Sequence, residues 1–239
     1  METFKCAILY HNYYSIDGIE DIRNRISLLT GHKVLLLVSL SEKLFLEGNF
    51  KNSETEKFVI STNKGKDIGG KLLLIDLVQK LYPQIPYLIL LHDKRSYQKF
   101  SGNLEKEKLF EIIQPAKFSA ILELMENDKS VGIVGTKSTL RNEFQPTTGT
   151  FNTTNNTLLK QLSQRYNLTP AGYQFVGGTM FWVKTSVFLG FFGKNNPVEI
   201  RGSLESGNIL DGKNGTITHS WERLLCWIVT SSGFKIIGI

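Results

Sequence analysis

Cysteine is scarce. The 239-residue chain has two, Cys6 and Cys226, near opposite ends. Each sits in an apolar run and reads as a buried thiol, which argues against a disulfide framework or a cysteine metal cluster. No apolar stretch reaches the ~18 residues of a membrane span. Met1 to Tyr10 lacks the basic start and long apolar core of a signal peptide, so the chain reads as cytoplasmic. Its Asn-x-Ser/Thr patterns at Asn152, Asn155, Asn167 and Asn214 then read as unglycosylated. Concentrated positive charge is also missing. Lys and Arg number 28 against 22 Asp and Glu, a balance of 28 − 22 = +6, yet no basic run exceeds the Lys94-Arg95 pair. A nucleic-acid reader needs a dense basic stripe. Spread charge suits a small phosphorylated ligand better. What is present, 41% hydrophobic and 21% charged residues, describes a globular rather than a disordered chain. The length permits a full α/β core without metal or disulfide staples.

Short apolar runs alternate with helical patterns. Phe4 to Tyr10, Lys33 to Ser39, Lys57 to Ser61, Tyr87 to Leu91 and Ser130 to Val134 read as strands, several of them buried on both faces. Ile19, Ile22, Ile26 and Leu29 recur at helical spacing over Asp17 to Leu29, and Gly31 stops that helix. Asp67 to Leu81 reads as a helix closed by Pro83. Helices are expected over Leu104 to Ile113 and Ala116 to Glu126, parted by Pro115. Arg141 to Asn156, rich in Thr, Asn and Gln, reads as a mobile surface loop. Thr157 to Tyr166 reads as a helix and Phe175 to Val183 as an apolar run with a Gly pair. Gly202 to Gly215 reads as a loop, Ser220 to Val229 as a helix and Phe234 to Ile239 as a closing strand. The β-α-β-β-α-β opening implies an α/β fold whose central sheet is mostly parallel and flanked by helices. No linker divides it, so one domain over residues 1–239 is expected.

In such sheets ligands bind beyond the carboxyl ends of the strands. His11 and Asn12 follow the first strand, Asn63 to Gly70 the third and His92 to Arg95 the fourth. Asn63 to Gly70 is glycine-rich and opens a helix, and Lys64, Lys66 and Lys71 add charge. It suits either a diphosphate or ribose cradle or a plain turn capped by Asp67. His92-Asp93-Lys94 ends a buried strand in polar groups. There Asp93 is a candidate ligand for a divalent metal, and Lys94 or Arg95 would neutralise a phosphate without one. Thr218 to Arg223 is the third constellation. Ser220 or Thr218 is a candidate cap, which puts Glu222 in the first turn, as a general base or as a capping carboxylate.

The order of these elements resembles the GT-A fold of nucleotide-sugar-binding glycosyltransferases. More closely, the chain is similar to the rhamnan synthesis protein F family. The resemblance rests on Asn63 to Gly69, Leu91-His92-Asp93-Lys94-Arg95-Ser96, Gly178-Thr179-Met180-Phe181-Trp182 and His219-Ser220-Trp221-Glu222-Arg223. It implies inverting transfer of a sugar, rhamnose from dTDP-rhamnose, to a cell-surface polysaccharide, O-antigen or lipid-linked glycan acceptor. The enzyme would work in the cytoplasm and touch the inner membrane surface peripherally. A donor-binding half would cover about 1–135 and an acceptor half about 136–239. His11 and Asn12 would meet the base or ribose. Asn63, Lys66 and Asp67 would hold the ribose or diphosphate, and His92, Asp93 and Lys94 the diphosphate, with Mg²⁺ or Mn²⁺ at Asp93. Gly178, Thr179 and Trp182 would line the acceptor side, Trp182 stacking on a sugar. Glu222 would be the base and His219 its partner. The Asp-x-Asp-type motif of GT-A enzymes is incomplete here, and Arg223 fills the second acidic slot of the late helix. This favours, as a second reading, a non-catalytic nucleotide-sugar-binding subunit of a polysaccharide synthesis complex.

Overall fold

A computed structural model describes residues 3–93 and 106–239; Lys94, Arg95, Ser96 and the start of the helix expected from Leu104 lie outside them. The chain opens with β1 (Cys6–Asn12), α1 (Asp17–Ser27), β2 (Val34–Leu40), α2 (Glu42–Gly48), β3 (Glu56–Ile60), α3 (Lys66–Leu81) and β4 (Tyr87–His92). It continues through α4 (Pro115–Asn127), β5 (Val131–Gly135), β6 (Leu140–Asn142), β7 (Phe144–Gln145), β8 (Thr150–Phe151) and α5 (Asn156–Arg165). It ends with β9 (Gln174–Val176), β10 (Phe181–Lys184), α6 (Thr185–Phe192), α7 (Pro197–Ser203), α8 (Ile217–Ser231) and β11 (Lys235–Gly238).

Seven strands form the main sheet in the order β11-β5-β10-β4-β1-β2-β3. All pairs are parallel except those of β10, which runs antiparallel between β4 and β5. The fold is therefore α/β and GT-A-like, as expected. Because strand side chains alternate, β1 feeds two cores. Ala7 and Leu9 pack with Leu72 and Ile75 of α3 and Leu224 and Ile228 of α8. Cys6, Ile8 and Tyr10 pack on the other face with Ile19 and Ile22 of α1 and Phe118 and Ile121 of α4. Each fully buried aliphatic side chain contributes about 1.5–3 kcal/mol. That two-sided burial is why β1, β2 and β4 read as unbroken apolar runs. Cys6 and Cys226 are free, buried thiols.

The apolar run Phe175 to Val183 is divided between two strands. β9 pairs with β6, and Gly178 and Thr179 take left-handed φ values of 80° and 51° before β10 enters the sheet. The segment Arg141 to Asn156 is not a bare loop. Phe144 and Phe151 pair across β7 and β8 and stack with Tyr173 and Trp227, so two aromatic rings anchor an otherwise polar stretch. Finally, α8 begins at Ile217 with Thr216 as its cap, accepting from the His219 N–H, not with Thr218 or Ser220.

Candidate active site

The strand order reverses around β1: β2 lies on one side and β4 on the other. Crevices at such switch points take ligands. His11 and His92 are register partners there, at the carboxyl ends of β1 and β4. Two pockets of about 180 Å³ each open beyond them. The first gathers His11, Tyr13, Tyr14, Asn63, Asp93 and Asn208. The second gathers Ile68, Gly178, Thr179, Thr218, His219 and Glu222. Lys66, Asp67 and His92 line both and form the wall between them. A larger cavity of about 660 Å³ lies at the far end of α8, beside Tyr166, Phe191 and Ile228, and among the described residues no carboxylate or histidine lines it.

Beneath the wall sits Lys71, fully buried on α3. Its ammonium donates to Asp67 Oδ2 at 2.8 Å, to His92 Nδ1 at 3.0 Å and to the Thr179 carbonyl at 3.0 Å, and it meets Thr179 Oγ1 at 2.6 Å. Thr179 Oγ1 in turn donates to Asp67 Oδ2 at 2.7 Å. Burial alone would raise the Asp67 carboxyl, but the Lys71 ammonium, His92 and these hydrogen bonds hold it well below the usual carboxylate range. Burial pulls the Lys71 ammonium down, and Asp67 opposes that. The pair ties α3 to the strained turn before β10. Sequence reading missed this role. Its signal was a lysine four residues after Asp67, the i,i+4 spacing of a helical ion pair, in a stretch otherwise apolar or glycine.

Gly65, whose φ is 74°, precedes α3 and Lys66 opens it at 50°, so Gly65 and not Asp67 occupies the cap position. A left-handed non-glycine residue costs of order 1–3 kcal/mol and marks a constrained site. Gly69 and Gly70 allow the helix to press close. A Cβ on Gly70 would strike the His11 ring and Ser39. His11 Nδ1 meets Ser39 Oγ at 2.8 Å, and burial pushes the imidazole down to about 4, so it stays neutral. Gly70→Ala is expected to destabilise the protein by about 1–3 kcal/mol through this overpacking, read as a lowered melting temperature.

Glu222 lies in the second turn of α8, not the first. Its Oε1 accepts the Gly178 N–H at 2.6 Å and its Oε2 the Arg223 guanidinium at 2.6 Å. Arg223 also clasps Glu143, at 2.6 Å. Burial raises the Glu222 carboxyl, against the opposing pull of Arg223 and the Gly178 N–H. The helix terminus itself is answered by Glu205, whose carboxylate accepts from the Ile217 and Thr218 N–H groups at 2.6 and 2.9 Å. Glu205, on the loop before α8, was not singled out in the sequence.

Asp93 Oδ2 accepts the N–H groups of Tyr13 and Tyr14 at 2.9 and 2.7 Å. Among the described residues, no group of three or more His, Cys, Asp or Glu side chains is placed to hold a metal ion. Asp67 is engaged by Lys71 and Thr179. Hard divalent ions take several oxygen ligands, and of the residues lining the first pocket Asp67 and Asp93 are carboxylates. Burial pushes the Asp93 carboxyl up to about 6, with Tyr14 and Tyr13 N–H groups opposing and Asp67 adding to the rise. A carboxyl raised in the folded state binds protons that the unfolded chain has released, so its charge opposes folding above about pH 6 and not below pH 4. Asp93→Asn is accordingly expected to raise the melting temperature at pH 8 and to leave it unchanged near pH 4.

Two expected contacts fail. Trp182 is fully buried in the opposite core, where its indole N–H donates to the Ile112 carbonyl at 2.9 Å and its ring meets Phe118 edge-on at 4.8 Å. It offers no face to a sugar: Phe181 and Trp182 point to opposite sides of β10, and both sides are core. Asn12 is also fully buried, donating to the Ser15 carbonyl at 2.8 Å, and it shapes the turn into α1. Lys94 lies outside the described residues. Asn63 lines the first pocket and donates to Asn208 Oδ1 at 3.2 Å.

A family model described as rhamnan synthesis protein F matches residues 1–234. The chain belongs to this family. The match takes in both pockets and every strand of the main sheet except the last, β11. Membership in the rhamnan synthesis protein F family ties the chain to rhamnan synthesis, and so to polysaccharide biosynthesis. No curated protein matches it. Among the described residues, no helix is long and apolar enough to cross a membrane.

Proposed function

We propose that this chain is an inverting glycosyltransferase. It moves rhamnose from dTDP-rhamnose to a polysaccharide, O-antigen or other lipid-linked glycan acceptor. The observation that carries this reading is the pair of adjoining pockets with a common wall of Lys66, Asp67 and His92 and a buried carboxylate, Glu222, on one side of it. The nucleoside diphosphate lies in the first pocket, against His11, Tyr13, Tyr14, Asn63 and Asp93. The acceptor hydroxyl enters the second pocket between Gly178, Thr179 and Glu222. Its oxygen attacks the anomeric carbon as the bond to the diphosphate breaks on the opposite face. The hydroxyl proton passes to Glu222, and the electron pair leaves with the diphosphate. A single displacement inverts the anomeric centre. A lipid-linked acceptor is met at the inner membrane surface, which the protein touches peripherally.

The second reading, a nucleotide-sugar-binding subunit without its own turnover, is favoured by the double engagement of Glu222 with Gly178 and Arg223. Thermal-shift measurement against a panel of nucleotide sugars, with and without Mg²⁺ or Mn²⁺, tests the shared part of both. Specific binding raises the melting temperature by linkage, and dTDP-rhamnose is expected to give the largest rise, with metal adding little. Transfer or donor hydrolysis by the purified protein alone then decides between them. A panel without any shift would remove both.

A further inference from the structure

Two lysines meet the site, and among the described residues only Lys71 has a carboxylate partner. Lys71 is paired with Asp67, whereas among the described residues Lys66 forms no ion pair and instead points its Nζ at His219 Nε2, 3.4 Å away. An ammonium only donates, so Nε2 must carry the lone pair. At the other side of the ring, Nδ1 lies 2.6 Å from Asp211 Oδ1, an acceptor, so Nδ1 must carry the proton. The tautomer is thus set from both ends. Asp211 is itself held by the Asn155 amide at 2.8 Å and the Thr216 hydroxyl at 2.8 Å. Asn155 is fully buried, and its Oδ1 takes the Thr216 N–H at 2.8 Å.

The loop that carries Asp211 also grips the turn that carries Lys66. Gly65 donates to the Glu205 carbonyl at 2.7 Å and Gly207 to the Asn63 carbonyl at 2.8 Å. Both Gly65 and Lys66 are left-handed, so the backbone is constrained to send this side chain toward α8. The Lys66 side chain ends at the junction of the two pockets, where donor and acceptor sides meet.

We propose that Asp211 and His219 are positioning residues that aim the Lys66 ammonium at the diphosphate as it leaves. This rests on the sugar-transfer reading above. Holding a cation through a neutral nitrogen keeps its full charge available, which a carboxylate partner would not. The long contact to His219 Nε2 is readily exchanged for a phosphate oxygen, a charge-assisted bond and therefore stronger. The loop of residues 205–216 thereby becomes part of the donor site, although the sequence offers it only as a Gly- and Asn-rich connection.

The test measures the wild type, Asp211→Asn, Lys66→Met and Lys66→Arg in parallel, in EDTA. Calorimetry compares dTDP with dTMP, turnover gives kcat and KM, and nitrogen NMR reads the His219 tautomer without any ligand. Wild-type His219 is expected to carry its proton on Nδ1. Lys66→Met should lose about tenfold or more in dTDP affinity while dTMP affinity stays within a few-fold. Lys66→Arg should recover part of it. Asp211→Asn should stay folded at the assay temperature, redistribute the His219 proton and lower kcat more than it raises acceptor KM. A proton on Nε2 in the wild type, or an Asp211→Asn variant with wild-type dTDP preference and kcat, would overturn the positioning pair alone. Failure of the wild type to bind dTDP would overturn the transfer reading, and this assignment with it.

Discussion

Glu222→Gln is expected to lower kcat by about 10²–10⁴-fold, the usual worth of a positioned proton acceptor, while dTDP affinity stays within a few-fold. The substitution preserves shape. The new amide oxygen would still accept the Gly178 N–H, and Arg223 would keep its clasp on Glu143. Neither neighbour is left stranded, so the loss falls on proton transfer and not on folding. The environment of Glu222 suits that chemistry: burial raises its proton affinity toward that of a working base, even against the adjacent Arg223. A normal melting temperature with lost turnover is the expected pair of measurements. Undiminished kcat would remove Glu222 from the mechanism.

Asp67→Ala is expected to produce the largest loss of stability, about 3–5 kcal/mol, because it strands the fully buried Lys71 ammonium without its carboxylate. Equilibrium urea unfolding reads this directly. The double variant Asp67→Ala/Lys71→Met should regain most of the loss, since a buried ion pair replaced by apolar groups of similar volume is often close to neutral. If Asp67→Ala alone unfolds at the wild-type midpoint, the pair does not hold α3 to the Thr179 turn. The pH dependence follows the same logic. Asp67 titrates far below its unfolded value near 3.8, so its stabilisation is complete above about pH 4 and is lost only as pH falls further. The double variant should therefore show a shallower loss of stability between pH 4 and 2 than the wild type.

Much of this site is legible because strand ends are legible. A buried parallel strand must leave its core at its carboxyl end, so the polar residues at that end, His11 in β1 and His92-Asp93 at the close of β4, read as one cluster. The register of β1 against β4 sets His11 beside His92. The same rule overreaches at Asn12. It follows the apolar run but folds back to cap a turn, and its burial depends on where Gly18 brings α1. Trp182 misleads for a related reason. One residue in a two-sided strand can face either core, and a period of two does not say which side carries the pocket.

The sequence by itself determined the class of the fold, the strand ends that bear chemistry and the family. Two-sided burial leaves continuous apolar runs, and a mostly parallel sheet must expose its loops at one edge. Only the tertiary structure decided which charged groups meet. Asp67, Lys71 and Thr179 meet because α3 packs on β1 and β2 and reaches the turn before β10, with Lys71 and Thr179 separated by 108 residues. Asp211, His219 and Lys66 meet because a loop with little sequence signal bridges two helix starts, with Lys66 and His219 separated by 153 residues. Coulomb energy depends on distance and burial, and neither is set locally in the chain. Two similar lysines on the same helix therefore meet different partners, Lys71 the Asp67 carboxylate in the core and Lys66 the His219 ring at the junction of the pockets.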